Sequence, residues 1–196
     1  MGEAKRRAVA YEAAKAKLIQ SVTGDTRVVA EAAIKLFEGF ILPKRYTGGC
    51  YLTTMILSRF LKQECGIEAE AVVGYINDGT DDIFISHSWL EHAGSKTDLT
   101  INLTEMPEFR GPLLVQDQTL RPGNVTYTYH RERTPEALAA DMEMLADPRT
   151  TRIARHKAEE HQVMLARANN PSLMDAYINM APKDQGYEAM ADVLRR

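Results

Sequence analysis

The sequence predicts an α+β fold in which a mostly apolar helix lies against an antiparallel sheet and a further group of helices follows the sheet. Three observations carry this reading. The stretch from Cys50 to about Glu64 distributes Leu52, Met55, Ile56, Leu57, Phe60 and Leu61 around most of a helical circumference, as a buried central helix does. After Gly66 the apolar residues alternate or run continuously, which is the signature of strands. From Thr134 onward the spacing becomes helical again and stays so. A chain of 196 residues, 44% hydrophobic and 26% charged, is long enough for a packed core with an extension. The expected division is a core with N-terminal helices over residues 1–133 and a helical extension packed on it over residues 134–196.

Taken in order, residues 4–20 and 26–40 read as two helices. Val9, Ala13, Ala16 and Leu18 form a modest stripe in the first, and Val29, Ala33, Leu36 and Phe40 a better one in the second. Gly24-Asp25-Thr26 separates them, with Asp25 or Thr26 as the capping residue, and Pro43 with Gly48-Gly49 marks a loop. The third helix starts at Cys50 and is ended by Gly66. Residues 67–76 and 83–91 are expected strands around the turn Asn77-Asp78-Gly79, and residues 96–103 a third. Short strands follow at 113–115 and 125–129, turned at Arg121-Pro122-Gly123-Asn124. The remaining helices are expected at 135–146, 150–168, 171–181 and 184–195. Thr134 caps the first of them with Pro135 at its first position, and Asn170-Pro171 breaks the run. The methionines scattered through this half read as core filling rather than as a peptide-binding surface.

Charge and hydropathy narrow the function classes. A net charge of −3 offers no electrostatic case for nucleic acid, and the basic runs at Lys5-Arg6-Arg7 and from Arg149 to Arg155 read as solvated helix faces. No run approaches the roughly 18 apolar residues of a membrane span. The N-terminal basic residues lack a following apolar core, so no secretory signal is expected, and the default location is the cytoplasm. Cys50 and Cys65, at opposite ends of one helix, would lie about 22 Å apart at a rise of about 1.5 Å per residue, so both are expected as free thiols.

Within this frame Cys50, His87 and Asp98 form a constellation suited to thiol catalysis: a nucleophile, a base and an orienting carboxylate. Cys50 opens a helix, where unpaired amides and the positive end of the dipole favour a thiolate. Gly48 and Gly49 before it let a substrate backbone approach. His87 and Asp98 fall on adjacent strands, so their meeting depends on parity. An even-numbered hairpin loop, two residues at Ala93-Gly94 or four from His92 to Ser95, puts His87 opposite Thr100 and Trp89 opposite Asp98. His87 and Asp98 are then diagonal neighbours on one face. A three-residue loop would place them on opposite faces. The same parity disfavours a metal site made from Cys50, His87 and His92.

This pattern resembles the transglutaminase-like superfamily of papain-like folds. The resemblance rests on Gly49-Cys50 opening a helix that ends in Cys65-Gly66-Ile67-Glu68-Ala69, on the Val72-Val73-Gly74-Tyr75 strand, and on His87-Ser88-Trp89-Leu90-Glu91 leading through a turn to Asp98-Leu99-Thr100. It covers about residues 45–103, and the segment also looks like the leader peptidases of lasso-peptide biosynthesis, members of the same superfamily. The resemblance implies that Cys50 is the acyl-accepting nucleophile, His87 its base and Asp98 the residue that orients the base. Papain-type enzymes place a Gln shortly before the cysteine as an oxyanion donor, whereas Leu42 to Thr47 contains neither Gln nor Asn. The expected substitutes are the Cys50 amide with Tyr46 or Thr47, beside Gly49, while Trp89 shields the base or fills the core. The implied reaction is acyl transfer on a peptide, protein or small acyl substrate, foremost hydrolysis, with no cofactor; transfer to an amine shares its first half. The alternative class is a non-catalytic binding or scaffold protein of this fold, its C-terminal helices offering a surface to a protein partner.

Overall fold

A computed structural model describes residues 2–196 and has the mixed α+β architecture expected. Helices α1 (Glu3–Ser21) and α2 (Gly24–Leu36) come first. Thr23 stands at the α2 cap position, two or three residues ahead of the expected Asp25 or Thr26, and no side chain caps the helix. The expected loop at Pro43 is instead helical. The chain widens into a π turn over Phe37–Ile41, where the Leu42 amide bonds back to the Phe37 carbonyl, and continues as α3 (Leu42–Lys44). A proline ring clashes with the carbonyl four residues back, and a widened turn upstream is a known way to relieve it. The helix stops only at Arg45, in the left-handed region at φ 48°.

Helix α4 (Cys50–Cys65) forms the centre of the molecule. Met55, Ile56, Leu57 and Leu61 are essentially sealed from solvent, and a truncation such as Met55→Ala in such a site typically costs about 2–5 kcal/mol. Its end is as expected: Gly66 takes φ 70°, and the Gly66 and Ile67 amides both bond to the Leu61 carbonyl. The cysteines at its two ends are free.

The sheet runs β3 (Ser95–Thr97), β2 (Ile85–His92), β1 (Glu70–Asn77), β6 (Thr128–His130) in spatial order, and every pairing is antiparallel. Strands β1 and β2 pair from Glu70 opposite Glu91 to Ile76 opposite Ile85, with Gly74 opposite His87 and Tyr75 opposite Ser86. The β2–β3 connection is the two-residue loop Ala93-Gly94, both with positive φ (51° and 79°), which closes His92 on Ser95 and Leu90 on Thr97. Strand β3 ends far short of the expected residue 103. At Asp98 the chain leaves β2 and bridges to Leu114 in β4 (Leu113–Val115), which forms a small hairpin with β5 (Gln118–Arg121). Strand β6 begins three residues later than expected because the Asn124 and Val125 amides are both held by the Arg110 carbonyl.

Residue alternation divides the sheet. Ala71, Val73 and Leu90 point into the core shared with α4, and Trp89, Gly74 and Tyr129 lie on the other face. Hydroxyls one helical stripe apart pin α4 to its face: Tyr51 to Ser86 Oγ at 2.8 Å, Thr54 to the Ser88 carbonyl at 3.4 Å, Ser58 to the Ala69 carbonyl at 2.6 Å. After β6 come α5 (Pro135–Ala146), α6 (Thr151–Asn169), α7 (Pro171–Asn179) and α8 (Tyr187–Arg195). Thr134 and Asn170 cap α5 and α7 through their side chains. Helix α8 packs on α2 and α4, delivering Met190, Ala191 and Leu194 to the core, and α6 packs on β1. Core filling therefore accounts for Met190, while Met142 and Met180 are exposed. Among the described residues no helix is long and apolar enough to cross a membrane.

Trp89, the single tryptophan, lies over Gly74, where an added Cβ would fall 2.6 Å from the indole and 2.5 Å from the His130 carbonyl. Gly74→Ala is expected to destabilise the protein by about 1–3 kcal/mol through overpacking. Urea unfolding followed by tryptophan fluorescence measures this directly, and an unchanged midpoint would show that Trp89 is free to move.

Candidate functional site

The hairpin delivers the parity condition. With Leu90 opposite Thr97, the next positions bring His87 and Asp98 to the same face, and His87 Nε2 lies 2.7 Å from Asp98 Oδ2. Both side chains are buried. A buried carboxylate is costly unless its oxygens are bonded, and Asp98 is well supplied. Tyr129 Oη donates to Oδ2 at 2.9 Å, and the Thr100 and Ile101 amides donate to Oδ1 at 3.1 and 3.4 Å. Those two amides also explain why β3 is short: the chain curls around the Asp98 carboxylate rather than continuing along β2.

The electrostatics follow from this packing. Burial opposes charge on His87, but the Asp98 carboxylate and then the Cys50 side chain outweigh it and push the ring up to about 10. Burial likewise opposes charge on Asp98, and the His87 cation and the Tyr129 hydroxyl overcome it, holding the carboxyl below its usual range. Tyr129, raised by burial and by the adjacent Asp98, keeps its proton and remains a donor. Since Nε2 is taken by Asp98, Nδ1 is the ring nitrogen left for the Cys50 thiol. Cys50 is half-buried at the first position of α4, and strand β3 covers β2 only from Leu90 to His92, so the edge of β2 at His87 is open to that helix end.

Each of the other expected site residues has a defined place. Gly49 is buried against Tyr46, whose ring carbon would lie 2.1 Å from an added Cβ, so the close approach demands glycine. Tyr46 is held edge-on by Phe40 at 5.5 Å. The Thr47 hydroxyl donates to Glu105 at 3.4 Å. Trp89 is buried, donates from its indole to Glu91 at 2.7 Å and packs edge-on against Tyr129 at 5.2 Å, thereby bracing the residue that holds Asp98. Gly48 takes φ 69° in the turn that aims the chain into α4.

Sequence reasoning did not find Tyr129 or a second polar chain on the opposite face of β2. Tyr51 Oη lies 2.8 Å from Ser86 Oγ, which lies 2.5 Å from His161 Nδ1 of α6. His161 stacks on Tyr75 with centroids 4.2 Å apart, and burial, helped by the Arg133 cation, lowers it to about 4. The chain therefore joins neutral groups. Tyr129 sat within an expected strand with nothing to single out its hydroxyl, and His161 sits in a polar helical stretch whose pattern carries no sign of burial.

The raised His87 value has a consequence for stability. Its folded value exceeds its ordinary 6.5, so its contribution is complete below about pH 6.5, declines as pH rises and is gone beyond about pH 10. Asp98 runs the other way: its contribution is present above about pH 3.8 and is lost on acidification through its lowered value. His87→Gln should flatten the alkaline decline of unfolding free energy, measured by urea denaturation at several pH values across this window. Parallel curves for the two proteins would show that His87 titrates alike in both states.

No family model, curated protein or solved structure matches the chain.

Proposed function

We propose that this protein is a cysteine-dependent acyl-transfer enzyme on a transglutaminase-like core, acting foremost as a hydrolase of peptide or amide bonds in the cytoplasm. The observation that carries the reading is the buried 2.7 Å His87–Asp98 pair, whose ring is raised by both Asp98 and Cys50 at the opening of a helix. A structural histidine needs no carboxylate on one ring nitrogen and a thiol acting on the same ring.

The chemistry then runs in two halves. The Cys50 sulfur attacks the acyl carbon, the C–N bond breaks, and His87 gives its proton to the departing amine, leaving a thioester on Cys50. Water attacks the thioester, His87 takes a proton from it, the C–S bond breaks, and the carboxylic acid departs as the Cys50 thiolate is restored beside the protonated His87; an amine in place of water gives transfer. Asp98 fixes the ring orientation through Nε2 and stabilises its positive charge, as the carboxylate of a triad does. The first intrahelical bond of α4 runs from the Thr53 amide to the Gly49 carbonyl, so the Cys50 and Tyr51 amides precede it and are available to a developing oxyanion. Tyr46, with its ring against Gly49, is the better placed of the two side-chain candidates, since the Thr47 hydroxyl is committed to Glu105.

Iodoacetamide near pH 6 should alkylate Cys50 far faster than the more exposed Cys65, whose thiol is pushed up by partial desolvation and by Glu64. Cys50→Ala should abolish turnover of activated esters and amides and the acyl adduct seen by mass spectrometry. The rate should fall above about pH 10 as His87 loses its proton, and Asp98→Asn should move that alkaline limb to lower pH, because Asp98 is the stronger of the two influences raising the ring. Equal alkylation of the two cysteines, or an alkaline limb unmoved in Asp98→Asn, would overturn the assignment.

A further inference from the structure

The Cys50 side of α4 opens into a groove of about 480 Å³, within the range of about 300–1,000 Å³ typical of small-molecule sites. Its floor is Cys50, Tyr51 and Ser86. One wall comes from the approach to β2 and its first residue, at Ile83, Phe84 and Ile85, and the facing wall from the C-terminal helices, at Met144 of α5 and Ile153 and Met164 of α6. Ile83, Ile85 and Ile153 are 42%, 55% and 61% exposed, an unusual concentration of β-branched apolar surface beside one thiol.

The charged residues of this groove neutralise one another. Arg133 Nε lies 2.6 Å from Asp141, and Lys157 Nζ 2.8 Å from Glu160, with all four residues lining the groove. An incoming charged group would find no free counter-charge and would lose its hydration. The remaining polar atoms of the floor are also engaged, since Tyr51 and Ser86 bond to each other and on to His161.

We infer that this groove selects the substrate, receiving a large uncharged apolar side chain carried by the peptide acyl donor next to the bond that Cys50 attacks. The inference rests on the acyl-transfer reading for the role of Cys50, and it assigns substrate recognition to α5 and α6. Specificity comes from apolar contact, so discrimination is graded by size and strongest against charge. Between a Phe or Leu and an Asp or Lys donor, a difference of about tenfold to two-hundredfold in kcat/KM is expected, the range that one apolar contact region provides.

The test has two arms. The first measures kcat/KM of the wild-type protein on N-acetyl-Gly-X p-nitrophenyl esters, with X as Phe, Leu, Gly, Asp and Lys, and repeats it with Ile153→Asp and with Leu138→Asp. Leu138 is 51% exposed on α5 and does not line the groove. The second titrates Cys50→Ala with N-acetyl-Gly-X-Gly amides of the same series, following the methyl resonances of Ile85, Met144 and Ile153 by NMR. Support is a preference for Phe and Leu that collapses in Ile153→Asp but survives in Leu138→Asp, with apolar peptides alone shifting the groove methyls. Equal rates across the series, or Asp and Lys peptides binding as well as Phe, would overturn the inference while leaving the acyl-transfer reading intact. Apolar peptides that shift the groove methyls without any ester turnover would overturn the catalytic reading and keep the groove as an apolar peptide site.

Discussion

Two ionisable side chains buried in contact constrain much of this molecule. An isolated charge in a protein interior is costly, and removing one member of a buried pair typically costs about 3–5 kcal/mol because the other is left uncompensated. His87 and Asp98, eleven residues apart in sequence, are kept together by geometry set at the loop between them, Ala93-Gly94, both of whose residues take positive φ. Strand β3 stops because Asp98 draws in the Thr100 and Ile101 amides, and β6 supplies Tyr129 to the remaining oxygen. Trp89 braces Tyr129 from the neighbouring position on the same face, and it fits only because Gly74 has no side chain. Loop, strand end, tyrosine, tryptophan and glycine are thus parts of one solution to the burial of a carboxylate.

Strand β2 serves two structures at once because its side chains alternate. His87 turns to Asp98, while the adjacent Ser86 turns the other way and links Tyr51 of α4 to His161 of α6. A one-residue slip in the β1–β2 register would exchange the two faces and destroy both networks together. The seven-pair ladder between β1 and β2 and the hydroxyl contacts from Tyr51, Thr54 and Ser58 therefore hold the C-terminal helices and the His87–Asp98 pair in one frame. Helix α6 is tied to β2 by the short hydrogen bond from Ser86 to His161 and to β1 by the stack of His161 on Tyr75.

The features legible in the sequence are those fixed locally. Ala93-Gly94 between two strand-forming runs specifies a tight turn, and with it the parity that brings His87 to Asp98. The apolar circumference of the Cys50 helix and its Gly66 terminus are also local properties, as are the Thr134 cap and the helix break at Asn170-Pro171. Features set by distant partners were not legible. Residues 98–103 have strand-like composition, but their path is decided by a carboxylate that takes its own downstream amides and by Leu114 across the sheet edge. Pro43 ordinarily ends a helix, yet a π turn upstream accommodates it. Tyr129 and His161 lie 31 and 75 residues from their partners, and no spacing rule connects such pairs.

The titrating groups on the two sides of β2 reveal how differently they are solvated. Toward the groove, burial lowers His161 to about 4 and so favours its neutral form, and burial lifts the Asp141 carboxyl above its usual range even though Arg133 approaches to 2.6 Å and pairs with it. On the other side, His87 and Asp98 are more deeply enclosed than Asp141, yet both are driven toward their charged forms. Burial alone cannot produce opposite outcomes. The difference is that Asp98 receives five donors while His161 faces a serine hydroxyl and a nearby cation. Charge is therefore concentrated on the pair at the open edge of β2, next to the end of α4 where Cys50 sits. The groove beyond it is left as apolar surface and mutually cancelled ion pairs, with no unpaired charge among its lining residues.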